Sequence, residues 1–281
     1  MCAICGCDDH HEHGHHEHVH ADGTRHAHAH PHGHEHGHEH GHGHADHRHV
    51  ELEARVLAKN DALAQVNESW LAARRIVALN LMGAPGSGKT SLLERTARHF
   101  GGGRLGVIEG DQATTNDAER VRAAGAPVVQ VNTGTGCHLD AGMVERALRE
   151  LAPPPHSLVV IENVGNLVCP ALFRLGEHRR VVVLSVAEGD DKPLKYPHMF
   201  RAADLVVLNK VDLLPYVDFD VARATRNART VNPEVAVLQV SARTGEGLAA
   251  WTAWLDEKLE SLGHGDQRRL QRPGHAAGIE R

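Results

Sequence analysis

The residues with the most specific chemical spacing lie between positions 83 and 90. Gly83-Ala84-Pro85-Gly86-Ser87-Gly88-Lys89-Thr90 fits G-x-x-x-x-G-K-[ST], directly after an apolar run and at the start of a helical pattern, the setting this spacing requires. Gly83, Gly86 and Gly88 let backbone N–H groups, that of Ser87 included, turn inward around phosphate oxygens, and the helix amino terminus adds a favourable dipole. Lys89 is expected to reach the β and γ phosphates and the Thr90 hydroxyl to bind Mg²⁺, with Ser91 next to it in the same site. Two carboxylates are candidates for Mg²⁺ or for positioning water. Asp111 closes Val107-Ile108-Glu109-Gly110-Asp111, and Glu162 lies in Val160-Ile161-Glu162-Asn163-Val164-Gly165. Both follow strand-like runs and should emerge at the carboxyl edge of a sheet, where open α/β folds bind ligands. Lys89, Asp111 and Glu162 are therefore the expected catalytic residues, and Thr90 and Asp111 the expected Mg²⁺ ligands.

A phosphate loop does not choose a base. Asn209-Lys210-Val211-Asp212, after the apolar run Leu205 to Leu208, resembles the Asn-Lys-x-Asp guanine motif of GTPases. In that resemblance the Asp212 carboxylate accepts from guanine N1–H and the 2-amino group, Asn209 holds the loop, and the Lys210 stem lies over the base. Ser241-Ala242 matches the family's partner motif, whose backbone N–H meets the guanine carbonyl. GTP is thus favoured over ATP. Glu162-x-x-Gly165 is similar to the switch sequence Asp-x-x-Gly, with Glu in place of Asp.

The remaining donors point to soft or borderline metals. Cys2-Ala3-Ile4-Cys5-Gly6-Cys7 sets three thiols within six residues, and loss of Met1 would add an α-amine. Such an N/S set suits square-planar Ni²⁺ better than structural zinc; a redox pair at Cys2 and Cys5, or unliganded thiols, are the alternatives. Residues 8–49 interleave His with Gly, Glu, Ala and Asp and cannot bury a core, so they read as a disordered metal reservoir or a solvated linker. Cys137-His138 and Cys169 lie inside the domain. If the strands ending near Asn132 and Asn163 are neighbours, these donors meet at the nucleotide edge, with water or a second subunit completing the site; buried structural thiols are the alternative.

The elements that must position these groups alternate in kind. Strands are predicted at Ile76–Met82, Leu105–Ile108, Val128–Val131, Leu158–Ile161, Val181–Val186, Leu205–Leu208 and Val235–Val240. Helices are predicted at Thr90–Phe100, Asn116–Ala124, Leu139–Leu151, Val221–Ala228 and Leu248–Leu262, with a leading helix from Val50 to Arg74. Buried Val/Ile/Leu runs separated by helices imply an α/β P-loop fold, a mainly parallel sheet covered on both faces. The expected organisation is a Cys-rich motif at 1–7, the His-rich tract at 8–49, one domain at 50–262 and a polar tail at 263–281.

The chain has 281 residues, 41% of them hydrophobic, which rules out wholesale disorder. Of its 26 His, 19 fall in residues 1–49 together with 8 acidic and 2 basic residues; the remainder carries 36 − 8 = 28 acidic and 30 − 2 = 28 basic residues. The body is formally neutral, so no basic face for nucleic acid is implied. No apolar run is long enough to span a membrane and no secretory pattern opens the chain, so a cytoplasmic protein is expected. Its five cysteines, an odd number, favour metal ligation or catalysis over a disulfide framework.

Together the C-x-x-C-G-C start, the His tract, GAPGSGKT, EGD, the Cys-His pair, ENVGNLVCP and NKVD resemble the hydrogenase nickel-incorporation GTPases, the HypB family, over nearly the whole chain. The resemblance implies a GTPase that delivers nickel during [NiFe]-hydrogenase maturation. It implies homodimerisation in response to nucleotide or metal, and work with a zinc-binding accessory protein and the hydrogenase large subunit. It also implies a high-affinity Ni²⁺ site at Cys2, Cys5 and Cys7, and a second site for Ni²⁺ or Zn²⁺ at Cys137, His138 and Cys169. The urease accessory GTPases share the His-rich start, phosphate loop and guanine motif, but carry Cys-Pro-His where this chain has Cys169-Pro170-Ala171. A nickel store with a vestigial GTPase is a third reading, opposed by the intact phosphate loop, Asp111 and NKVD.

Overall fold

The computed structural model describes residues 43–261, apart from 102, 112–115, 135 and 137, together with residues 18–19 and 25–26. Two compact units are distinguished, residues 1–55 and 56–281. In the first, β1 (His18–Val19) and β2 (Arg25–His26) pair antiparallel. Helix α1 (Gly43–Ala73) begins earlier than the apolar periodicity from Val50 predicts, because helix once nucleated adds one backbone hydrogen bond per residue and needs no apolar stripe to propagate. Of the predicted disordered tract, all but these pieces lies outside the described residues, as do residue 262 and the predicted polar tail at 263–281.

The second unit alternates strand and helix as its sequence predicts. In order come β3 (Val77–Met82), α2 (Lys89–Phe100), β4 (Leu105–Asp111), α3 (Asn116–Ala123), β5 (Val128–Asn132), α4 (Ala141–Leu151) and β6 (Leu158–Glu162). The short α5 (Cys169–Leu172) leads to β7 (Arg179–Ser185), α6 (Lys192–Lys195), α7 (Pro197–Ala202) and β8 (Leu205–Asn209). A 3₁₀ turn at Val211–Tyr216, α8 (Val221–Val231), β9 (Ala236–Val240) and α9 (Leu248–Ser261) complete it. The seven strands β3 to β9 form one sheet in the order β5-β4-β6-β3-β7-β8-β9, every pair parallel.

Alternation along β3 shows why the strand is buried on both sides. Val77, Leu79 and Leu81 pack with Leu92 and Leu93 of α2, Val121 of α3, and Trp251 and Leu255 of α9. Ala78 joins Leu71 of α1 and Val144 and Leu148 of α4 on the opposite face, where Met82 meets Met199 and Phe200 of α7. Truncating Leu79, wholly buried, to Ala would cost about 2–5 kcal/mol. Among the described residues no helix is long and apolar enough to cross a membrane.

Candidate functional site

The turn between β3 and α2 is shaped around absent side chains. Gly88 has φ +94°, and a Cβ there would lie 2.3 Å from Asn209 Nδ2, so both backbone and packing require glycine. No side chain caps α2, and its amino end opens into a cavity of about 470 Å³ lined by Gly86, Gly88, Lys89 and Thr90. Buried Lys89 donates from Nζ to the carbonyls of Gly83 and Ala84 at 3.1 and 3.2 Å. Burial holds its pKa below the ordinary lysine value, against the pull of the Glu162, Glu188 and Asp117 carboxylates.

Three oxygen-bearing side chains meet beyond Lys89. Thr90 Oγ1 lies 2.8 Å from Glu162 Oε1 and 3.1 Å from Asp117 Oδ2. A hydroxyl has one proton and can donate to one carboxylate at a time. The buried Glu162 Oε2 has no partner, and burial first, with Asp117 adding to it, pushes the Glu162 pKa up to about 7 while Lys89 and Thr90 pull it down. A hard cation that takes oxygen ligands, as Mg²⁺ does, fits this set and would relieve the crowding of acids. Of the predicted ligands, Thr90 and Glu162 meet here; Asp111 ends β4, its side chain outside the described residues. Asp117, in the first turn of α3, was not foreseen, nor was buried Glu109, which lines the same cavity and is in register with Glu162 across β4 and β6. Arg120, one turn after Asp117, is the one arginine lining the cavity among the described residues. It is held by Asp117 at 2.8 Å and Glu94 at 2.9 Å.

A second cavity, of about 380 Å³, shares Gly88, Ser91 and Lys210 with the first and adds Asn209, Asp212 and Ala242. Ser241 Oγ donates to Asp212 Oδ1 at 2.6 Å, which fixes the carboxylate. Asn209, at the end of β8, bridges the phosphate loop to Ala242. Lys210 adopts φ +63° and sends Nζ to the Gly86 carbonyl at 2.7 Å, so its ammonium caps the phosphate loop.

The strands ending at Asn132 and Glu162 are not neighbours; β4 runs between them, because the chain places β4 beside both. The adjacency on which the meeting of the metal donors was conditioned is therefore absent, yet the following loops still converge. The residues after β5 cross the end of β4, so that Leu139 N–H donates to Asn163 Oδ1 at 3.3 Å and His138 stacks on Phe173 with ring centroids 3.9 Å apart. Phe173 directly follows α5, whose first residue is the buried Cys169. Burial lowers the His138 pKa, Asp140 opposing, which favours the neutral, ligating imidazole. Cys137, like Cys2, Cys5 and Cys7, lies outside the described residues; among the rest no group of three or more His, Cys, Asp or Glu is placed to hold a metal. Two buried asparagines of α1 also tie these loops together. Asn60 accepts from Ala141 N–H at 2.9 Å and donates to the Arg174 carbonyl at 2.8 Å, and Asn67 donates to the carbonyls of Ala141 and Leu175. An Asn recurring two turns apart on an otherwise apolar helical stripe was the signal available for them.

Comparison with known proteins places this geometry among relatives. The family described as CobW/HypB/UreG, nucleotide-binding domain, matches residues 77–239. The hydrogenase maturation factor HypB of Azotobacter chroococcum mcd 1 is 56% identical over 212 residues, 75% of this chain and 70% of the relative. The crystal structure of the hydrogenase maturation factor HypB from Archaeoglobus fulgidus has a TM-score of 0.68 at 43% identity, with 72% of this chain and 100% of that chain covered. That of HypB from Helicobacter pylori in complex with nickel has a TM-score of 0.68 at 38% identity, with 72% and 96% covered.

Proposed function

We propose, from the premise that this chain belongs to the CobW/HypB/UreG family and within it to the HypB hydrogenase maturation factors, that it is a GTP-hydrolysing nickel metallochaperone. The observation that carries the reading is the pair of contiguous cavities, one at the phosphate loop and one at the base loop, which share Gly88, Ser91 and Lys210, while Asn163 on the wall of the first accepts from the N–H of Leu139, the residue after His138. Nickel is the cargo, and the nickel complex of the Helicobacter pylori relative supports that choice.

Guanine recognition falls to Asp212, held by Ser241, with the Ala242 backbone and Asn209 completing the base loop. Lys89, at present on the loop's own carbonyls, would turn to the β and γ phosphates as stronger, charged acceptors. Thr90, Glu162 and Asp117, and Asp111 as the sequence predicts, would hold Mg²⁺, which supplies charge neutralisation for the phosphoryl oxygens. In hydrolysis a water oxygen bonds to the γ-phosphorus as the bond to the β–γ bridging oxygen breaks, giving GDP and phosphate. Arg120, engaged by Asp117 and Glu94, is not poised as an arginine finger, and turnover is expected to be slow.

Cys2, Cys5 and Cys7 are proposed to bind Ni²⁺ tightly, the His tract to store it, and Cys137, His138 and Cys169 to hold Ni²⁺ or Zn²⁺ in a manner that depends on nucleotide. A cytoplasmic homodimer that works with a zinc-binding accessory protein and the hydrogenase large subunit completes the reading. The test is GTP hydrolysis and Ni²⁺ content of the full-length protein beside Lys89→Ala and the Cys2/Cys5/Cys7→Ala triple variant. Delivery requires that the triple variant fail to activate the target at low nickel while hydrolysing GTP normally; target activation at the unaltered level would leave only storage.

A further inference from the structure

Asn163 follows Glu162 at the end of β6, is 1% exposed and lines the phosphate cavity. Its Oδ1 accepts two backbone protons, from Val164 at 3.0 Å and from Leu139, the residue after His138, at 3.3 Å. Its Nδ2 donates to Asn80 Oδ1 at 3.2 Å, and Asn80 passes the connection to Glu177 Oε1 at 3.4 Å. The Glu177 carboxylate binds Arg180 Nε at 2.5 Å and Leu175 N–H at 2.7 Å. Arg180 in turn forks to the carbonyls of Ala171 and Phe173 at 3.2 and 3.4 Å, gripping the end of the helix that begins at Cys169. Since Phe173 stacks on His138, the chain of contacts closes into a ring with Asn163 as the member that also lines the cavity at the phosphate loop.

We propose that Asn163 is the positioning residue that couples occupancy of the phosphate cavity to the geometry of Cys137, His138 and Cys169. The inference rests on the metal-binding reading of those three residues. Val164 N–H, on the cavity wall, donates to Asn163, and a phosphoryl oxygen bound in that cavity, being charged, would compete for it as the stronger acceptor. Once Val164 N–H is drawn away, the Asn163 amide keeps Leu139 and Asn80 as partners and re-seats against them. Both segments flanking the metal donors then feel the change, one directly through Leu139 and the other through Asn80, Glu177 and Arg180. The phosphate loop reinforces the path, because Gly83 makes an isolated antiparallel bridge with Asn166, whose Oδ1 accepts from Val168 N–H at 2.7 Å just before Cys169.

The experiment uses the full-length chain with Cys2, Cys5 and Cys7 replaced by Ala, so that thiolate-to-nickel charge-transfer absorption reports only Cys137 and Cys169. Ni²⁺ is titrated with GDP and with a non-hydrolysable GTP analogue bound, and binding of a fluorescent GDP is measured alongside. In this parent the two nickel affinities should differ by about fivefold or more. In Asn163→Ala the difference should collapse to less than about twofold while fluorescent GDP still binds, and Arg180→Gln, at the far end of the ring, should do the same. A difference kept in both variants, or a weakening of nickel equal with both nucleotides that preserves the ratio, overturns the role of Asn163 alone. Equal affinities in the parent overturn the coupling itself. Absence of the thiolate band in the parent overturns the internal metal site and this inference with it.

Discussion

Asn209 Nδ2 donates to the Ser87 carbonyl at 2.9 Å, and through its Oδ1, which accepts from Ala242 N–H at 3.2 Å, one buried side chain fixes the phosphate loop against the base loop. Asn209→Ala strands a buried carbonyl and a buried N–H, a cost of about 1–3 kcal/mol. Because the two loops lose their common brace, affinity for GDP and GTP should fall together, by roughly tenfold to 100-fold at 1.4 kcal/mol per decade. Calorimetric titration with each nucleotide checks this, and loss confined to the triphosphate would contradict a brace that serves the whole nucleotide.

Glu162 should make the benefit of Mg²⁺ depend on pH. Burial raises its pKa to about 7, so above that value the carboxylate is ready for a cation, and below it a proton must be displaced. The gain in GTP affinity on adding Mg²⁺ should therefore shrink as pH falls below 7, approaching about tenfold per unit, and Glu162→Gln should flatten the profile. Nucleotide binding measured with and without chelator between pH 5.5 and 8 reads it. A profile in Glu162→Gln that matches the unaltered protein would remove this carboxylate from the cation site.

How much of this was legible in the sequence follows the range of the interactions involved. The alternation of Leu79 and Ala78 along β3, or the Gly88-Lys89-Thr90 run, is local, and such patterns give the parallel sheet, its helices and the phosphate loop. Asp117 was missed because its partner Thr90 is distant in sequence and the contact depends on where α3 begins. The order of β5, β4 and β6 was not accessible for a related reason: strand patterning fixes which residues are buried but not which strand lies between two others. The helices at Cys169–Leu172, Lys192–Lys195 and Pro197–Ala202 are one to two turns long, too short for a 3.6-residue period to register, and each has Pro in its first turn.

Gly165 is set by a close approach rather than by backbone angle. A Cβ there would lie 2.9 Å from Pro85 Cγ and 3.0 Å from Pro85 Cα and N, and backbone atoms cannot step aside. Gly165→Ala should thus displace the phosphate loop and destabilise the protein by about 1–3 kcal/mol, with weaker GDP binding. Gly103→Ala, where a Cβ meets nothing within 4 Å, is the control. Equal melting temperatures for the two variants would show that the segment after Glu162 does not rest on the phosphate loop.

His178 makes stability pH-dependent in a defined window. Its backbone N–H donates to the Ala78 carbonyl at 2.8 Å, and its Nδ1 accepts from Ala78 N–H at 3.1 Å, extending the β3–β7 ladder by one residue. Protonation would put an N–H against an N–H. Burial, aided by Arg179 and opposed by Glu177, lowers its pKa from 6.5 to about 4. The folded state binds the proton less readily than the unfolded chain, so the stabilisation is complete above pH 6.5, is lost progressively as pH falls, and is gone below about 4. At 1.36 kcal/mol per unit the loss amounts to about 3 kcal/mol. The lowered pKa of Glu177 acts below the ordinary carboxylate range, so the two windows separate. Urea unfolding of the unaltered protein and of His178→Gln, in chelator at pH 7.5 and 4.5, isolates the term: the variant should lose less stability across that interval, by about 2–3 kcal/mol. Parallel losses would mean that the imidazole is protonated in the folded protein and that Ala78 N–H is satisfied some other way.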